Sequence, residues 1–260
     1  MPRSTTFALL SSLSLVLSAC GGGGGGGGGD GGSGGAGGGA GSTSSAIPGA
    51  TTGAGLDPSC VDPVDHTGDG TFYAADGSGN CSFAPTGDLM VAAMNHDEYA
   101  GSAACGACVH AVGPSGEVTV RIVDQCPECK VGDIDFSPEA FSLFADKTLG
   151  RVTIHWKYVP CDVAGPIVYH FKEGSNQWWT AVQVRSSRYA IAKLEFKKDG
   201  QYVEVNRLDY NYFVADSGMG PGPYSFRVTD VKGQVVEDVG IPFVEAGDAP
   251  GAAQLPVCTP

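Results

Sequence analysis

Eight cysteines between Cys60 and Cys258 constrain this chain more than any other feature. They are Cys60, Cys81, Cys105, Cys108, Cys126, Cys129, Cys161 and Cys258. An even set of eight permits roughly a hundred disulfide connectivities, and spacing alone does not choose among them. It also admits a rival chemistry. Cys105-x2-Cys108, seventeen residues, then Cys126-x2-Cys129 has the spacing of a four-thiolate zinc site. The compartment decides between the two, because exported thiols oxidise and cytosolic thiols stay reduced. Met1-Pro2-Arg3 is a short positive start, and Phe7 to Leu17 is an apolar stretch too short to span a bilayer. That is the layout of a secretory signal, so disulfides are expected. One equivalent of zinc in the purified protein would decide for the metal instead.

A ninth cysteine, Cys20, stands apart. Leu17-Ser18-Ala19-Cys20 is similar to the lipobox of bacterial lipoproteins. The resemblance implies that residues 1–19 are removed and that Cys20 carries a diacylglycerol and an amide-linked acyl chain. More than one chain is what stable anchoring requires. Gly21 rather than Asp after the cysteine favours the outer membrane or cell surface; plain secretion is the alternative. Residues 20–59 hold 20 of the 41 glycines and few apolar side chains. Such a segment cannot bury enough surface to offset its ordering entropy. As a coil of about 40 residues it spans roughly 35 Å, and it is expected to tether a folded body.

Composition excludes further classes. The glycines lack a G-X-Y period, which rules out collagen, and 42% hydrophobic residues rule out global disorder. A net charge of −13 with no Lys/Arg cluster argues against nucleic acid and anionic surfaces. Nine of those thirteen charges fall between Cys60 and Cys161. The body is therefore repelled by anionic pectin or teichoic acid, and the membrane is reached only through the lipid.

From Thr71 onward, short apolar runs alternate with turn residues. The first set of expected strands is Thr71–Ala74, Leu89–Met94, Val109–Val112, Val118–Asp124 and Arg151–Val159. Val118–Val123 is β-branched and alternates poorly, which suits a strand buried on both faces. Ser137-Pro138-Glu139 supplies an N-cap, a proline at N1 and an acid in the first turn of one helix. A second set covers Ile167–Lys172, Thr180–Arg185, Ala190–Lys197, Gln201–Asn206, Tyr224–Thr229 and Gln234–Asp238. Asp199-Gly200 and Lys232-Gly233 serve as hairpin turns. The boundary is expected near Pro160-Cys161-Asp162, giving folded modules at 60–161 and 162–260, the second an antiparallel sandwich.

Particular residues then become recognisable. The first module contains Gly70-Thr71-Phe72-Tyr73, Ala104-Cys-Gly-Ala-Cys108, Val123-Asp124-Gln-Cys-Pro127 and Asp133-Ile-Asp135-Phe-Ser-Pro138. The second contains Lys172-Glu-Gly-Ser-Asn-Gln-Trp178-Trp179 and Leu208-Asp-Tyr210-Asn-Tyr212-Phe213. In this order and spacing they resemble expansins, in particular the bacterial expansin-like proteins, from about Gly68 to Asp238. The resemblance implies an all-β chain, with a six-stranded double-psi β-barrel followed by an immunoglobulin-like β-sandwich carbohydrate-binding module. It assigns Trp178, Trp179 and Tyr210, with Lys172 beside them, to a polysaccharide-binding platform. Flat rings of this kind stack on the apolar faces of pyranoses. Adjacent strand residues point to opposite faces, so both Trp residues face sugar only where a bulge or loop breaks the alternation. Trp156 is expected to be barrel structure.

The same resemblance places Thr71, Asp124 and Asp135 in an open groove of the barrel. Asp135 stands where related inverting endoglucanases keep their general acid, and partial desolvation there would raise its pKa. Other bacterial members tend to have Tyr at the position of Cys126. Inverting hydrolysis also needs a second carboxylate as base. The family position for it is Ala75, while Asp76, one residue on, is expected to sit in the Asp76-Gly-Ser-Gly turn. The implied function is therefore non-hydrolytic loosening of wall polysaccharide, with cellulose or a related β-glucan as partner. The alternatives are an inverting endoglucanase-like hydrolase, or a peptidoglycan lytic transglycosylase, for which one acid suffices. No cofactor motif is present, none of the five His forms a metal-ligand spacing, and a monomer is expected.

Overall fold

The computed structural model describes residues 62–257. Cys20, Cys60 and Cys258, and the expected signal and tether segments 1–19 and 20–59, lie outside the described residues. The regular elements of the described residues are almost entirely β-strands.

Six strands close a barrel in the first half. They are β1 (His66–Phe72), β2 (Val91–Asn95), β3 (Cys108–Val112), β4 (Glu117–Cys126), β5 (Ile134–Phe136) and β6 (Val152–Val159). Around the ring the order is β1-β5-β2-β4-β3-β6, and β6 pairs back to β1. β1–β5 and β2–β4 are parallel pairs in an otherwise antiparallel ring. Its interior is filled by Met94, Ile122, Ile134, Phe136, Phe141, Phe144, Ile154 and Trp156. Trp156 is buried barrel structure, stacked on His66 with its indole N–H donating to Gly132 O at 2.7 Å.

Several expectations need correction here. β1 begins five residues before Thr71, in the polar run His66-Thr-Gly-Asp-Gly. Glycine makes that strand possible by close approach: a Cβ on Gly68 would fall 2.2 Å from the Gly132 carbonyl carbon. The chain ends β1 at Phe72, so Tyr73 and Ala74 lie beyond it. β4 is not buried on both faces along its length. Val118, Val120 and Ile122 point inward while Thr119 and Arg121 alternate out, and only Ile122-Val123 breaks the period. The reason is a bulge. Ala92 pairs with Ile122 and Ala93 with Asp124, leaving Val123 as the extra residue. β5 was not expected, and neither was the one-turn helix α1 (His96–Tyr99), capped by the Asn95 side chain. The expected helix α2 forms from its Ser137 cap but runs only Pro138–Phe141.

The second half is a two-sheet sandwich of nine strands, three more than expected, among the described residues. One sheet orders β10 (Gln201–Glu204), β9 (Ile191–Lys198), β13 (Tyr224–Asp230) and β14 (Val235–Ile241). The other orders β11 (Asn206–Arg207), β12 (Phe213–Ala215), β8 (Thr180–Arg185), β7 (Val168–Phe171) and β15 (Asp248–Pro250). β13 alternates strictly between buried and half-buried residues, as a strand with one face in the core must. Its Phe226 stacks on Tyr169 of the facing sheet at 4.7 Å. Asp199 and Gly200 both take positive φ, the geometry of a two-residue hairpin turn.

Among the described residues three disulfides form: Cys81–Cys105, Cys108–Cys161 and Cys126–Cys129. They engage all four cysteines of the candidate zinc set, as cystines. Cys105 and Cys108 take different partners because Gly106, at φ +78°, turns the chain between them. Cys105 enters the barrel core, and Cys108 packs with Cys161 at the start of the sandwich. Side chains also bind the two halves directly. The Gln183 amide donates to Cys81 O at 2.8 Å, Tyr99 OH to Asp209 O at 2.8 Å and Ser102 OH to Leu208 O at 2.8 Å.

Candidate polysaccharide groove and platform

The barrel pairings bring distant residues into one row. Thr71 of β1 pairs with Asp135 of β5, Asp135 with Ala93 of β2, and Ala93 with Asp124 of β4. The bulge at Val123 is what sets Asp124 at this level. Thr71 OH donates to Asp135 Oδ1 at 2.5 Å. Asp124 Oδ1 accepts from the amides of Asn80 at 2.7 Å and Gln125 at 2.8 Å. The three groove residues named from sequence therefore lie together. Tyr73 joins them, its buried hydroxyl beside the Asp124 carboxylate. Burial, followed by the charge of Asp124 and the hydrogen bond to it and then by the charges of Asp135 and Asp76, holds its phenol protonated well above the ordinary range.

Burial is also the main cause that raises the Asp135 carboxyl above the usual aspartate range. The Glu128 and Asp124 charges add to it, and the Thr71 hydrogen bond and Arg151 oppose it. Folding thus favours the protonated form of Asp135. Its contribution to stability is complete below the unfolded-state pKa and is lost as pH rises through the folded pKa. Asp135→Asn keeps an acceptor for Thr71 and removes that loss. The variant is expected to melt above wild type at pH 7, and with it at pH 3, by scanning calorimetry.

Ala75 supplies no carboxylate, and Asp76 is committed elsewhere. Its Oδ1 accepts from the Ser78 amide at 2.8 Å and from the Ser78 hydroxyl. Those bonds hold the exposed Asp76 carboxyl below the usual range.

The paired Trp residues occupy a turn. Gln177 and Trp178 form its tip, closed by an Asn176–Trp179 bridge with Asn176 N donating to Trp179 O at 2.7 Å. Asn176 Oδ1 accepts from the amides of Trp178 at 2.9 Å and Trp179 at 3.2 Å. Strand alternation no longer applies, so both rings are free of it. Trp178 is 72% exposed, while Trp179 lies with Tyr210 against Ala181, Tyr212 and Val214 on the outer face of the five-stranded sheet. Lys172 stands 5.9 Å from the Tyr212 ring centroid, and Tyr210 is 5.9 Å from Tyr212. Gly218, at φ +70°, seats the turn: a Cβ there would fall 2.1 Å from Gln177 O.

Asn80, which sequence reasoning did not single out, links groove to platform. Its amide N–H donates to Asp124, and its side chain donates to Tyr99 OH at 2.9 Å and to Asp209 O at 3.1 Å, next to Tyr210. No local signal marks it, since its role depends on contacts 44 and 129 residues away.

No family model matches the chain. It is 35% identical to Expansin-YoaJ of Bacillus subtilis over 178 residues, which are 65% of this chain and 76% of that protein. Expansin-like protein 3 of Dictyostelium discoideum is 30% identical over 190 residues, 68% of this chain but only 56% of that relative. Among solved structures, the apo expansin of Clavibacter michiganensis superposes with a TM-score of 0.69 at 32% identity, covering 74% of this chain and 98% of that one. A mutant of the same Clavibacter protein, in complex with cellohexaose, gives a TM-score of 0.69 at 31% identity with the same coverage. With its six-stranded barrel, its two further sheets and this similarity across the full length of a solved relative, the chain belongs to the expansin family.

Proposed function

We propose that the protein loosens β-glucan assemblies without hydrolysis. The Trp178–Trp179–Tyr210 face adsorbs on cellulose, and the Thr71–Asp124–Asp135 groove grips a glucan chain. Protein–chain contacts then replace chain–chain hydrogen bonds and stacking. The observation that carries this reading is the exposed Trp178, together with Asn80, whose hydrogen bonds tie Asp124 of the groove to Asp209, next to Tyr210 of the platform. The cellohexaose complex of the Clavibacter relative supports glucan as the ligand class. Inverting hydrolysis needs two carboxylates roughly 6.5–9.5 Å apart; the family position of the base is Ala75, and the other groove carboxylate, Asp124, is held by the Asn80 and Gln125 amides.

The test is incubation with microcrystalline cellulose, with bound protein and new reducing ends measured together. Binding with no reducing ends is expected. Soluble sugar release abolished by Asp135→Asn or Asp76→Asn would establish a glycosidase instead. Anhydro-muropeptides from purified sacculi would establish a transglycosylase acting on peptidoglycan.

The disulfides of the body fit an oxidising, extracytoplasmic compartment. In our reading Cys20 carries the lipid that holds this body at the cell surface. Cys20→Ala is expected to move the protein from the membrane fraction to the soluble fraction, and unchanged partition would sink the anchor.

A further inference from the structure

A cleft of about 680 Å³ lies between barrel and sandwich, within the roughly 300–1,000 Å³ range of ligand pockets. Its lining shares no residue with the platform cluster. Along β8 the outward residues are Ala181, Gln183 and Arg185. Ala181 packs under the platform, Gln183 is taken by the barrel through Cys81 O, and Arg185 lines the cleft. The platform and the cleft thus lie at opposite ends of β8, with Tyr212 packed on Ala181 at one end and reached by Arg185 at the other.

The cleft is held in shape. Cys108 and Cys161, joined by a disulfide, both line it, so its two walls are tied covalently. Arg185 is fixed by Gln183 Oε1 at 2.6 Å and Asp248 at 3.2 Å. Arg121 is the anomaly. Its guanidinium lines the cleft half-buried, yet makes no side-chain hydrogen bond or ion pair among the described residues. Burial pushes its pKa down, and Asp88 is the opposing charge that acts on it. Its donors stay open to the cleft, where a ligand that supplies acceptors can meet them.

The lining selects the ligand class. Two arginines supply donors, while Asp88, Asp162 and Asp248 supply acceptors, so the local charge does not favour an anion. Phe83 and Met90 add an apolar surface. A pyranose offers hydroxyls that both donate and accept, together with an apolar face for the ring. We propose that this cleft is a second saccharide site, which takes a short, soluble, neutral gluco-oligosaccharide. The inference rests on the glucan-binding reading above, extended to a place that reading does not use.

The experiment is an amide chemical-shift titration of the isotope-labelled full chain with cellotetraose, in wild type and in Trp178→Ala/Trp179→Ala. The expected result is a saturable shift of the Thr119, Arg121 and Ser186 amides that survives loss of the platform. Phe83→Ala is expected to weaken it at least tenfold. Because Phe83 also packs on the barrel, Thr86→Trp at the exposed rim is the second variant, expected to block the cleft with the fold intact. Shifts confined to the platform, and absent from the double variant, would overturn the proposal. If the wild type binds insoluble cellulose while the cleft amides stay still, only the second site fails. If it binds neither cellulose nor cellotetraose, the glucan reading fails as well.

Discussion

Replacing Trp178 and Trp179 together by Ala is expected to lower partition onto microcrystalline cellulose by about a hundredfold or more, with little change in fold. Stacking on a sugar plane would bury on the order of 100 Å² of each ring, about 2.5 kcal/mol apiece at about 25 cal/mol per Å². Ordering costs reduce that figure, and about 1.4 kcal/mol per ring already gives the hundredfold effect. Stability changes little because the turn is held by its own polar groups, which the substitutions keep. Asn176 Oδ1 still accepts from both amides, and Asn176 N still meets the carbonyl of residue 179. Trp178, 72% exposed, contributes little packing. Trp179 loses its contact with the Ala181–Tyr212–Val214 cluster, at about 1 kcal/mol, or roughly 2–4 °C. Circular dichroism melts beside the pull-down separate the two effects. Undiminished binding by a folded double variant would move the platform elsewhere.

The contrast between what sequence revealed and what it concealed follows from the range of the interactions. β13 and the Asp199-Gly200 turn are local objects, set by alternation and by backbone preference, and they stand where pattern reading puts them. β1 is the opposite case. Its segment His66–Gly70 is polar and glycine-rich, and it is a strand only because Gly68 and Gly132 allow two backbones to touch. β5 has three residues, too few for any period to register. The three candidate groove residues were named from family likeness, yet what aligns them was not visible: a bulge at Val123 and three cross-strand pairings bring Thr71, Asp135 and Asp124 into one row. Asn80 and Arg121 were invisible for the same reason. Each matters through partners brought near by tertiary folding, and neither carries a local motif.

The disulfides give the second large effect, and its size should follow loop length rather than position in the sequence. Sequence separations of 53, 24 and 3 close very different loops for Cys108–Cys161, Cys81–Cys105 and Cys126–Cys129. Chain entropy assigns them about 4, about 3.5 and about 2 kcal/mol. Cys108→Ala/Cys161→Ala is therefore expected to lower the melting temperature by about 10 °C. It should also loosen the tie between the barrel and the sandwich. Cys126→Ala/Cys129→Ala should cost about half as much. That smallest ring has a different weight, because it follows Asp124 by two residues and contains Glu128, whose charge helps raise the Asp135 pKa. Its loss should show in the groove more than in the melt: freeing Glu128 weakens its repulsion, so the Asp135 carboxyl should titrate at lower pH than in wild type. Calorimetry orders the first effect, and carboxyl chemical shifts followed against pH read the second. If the small ring proved the more stabilising, loop entropy would not be what these bonds supply. An unmoved Asp135 titration would mean that the ring is structural alone.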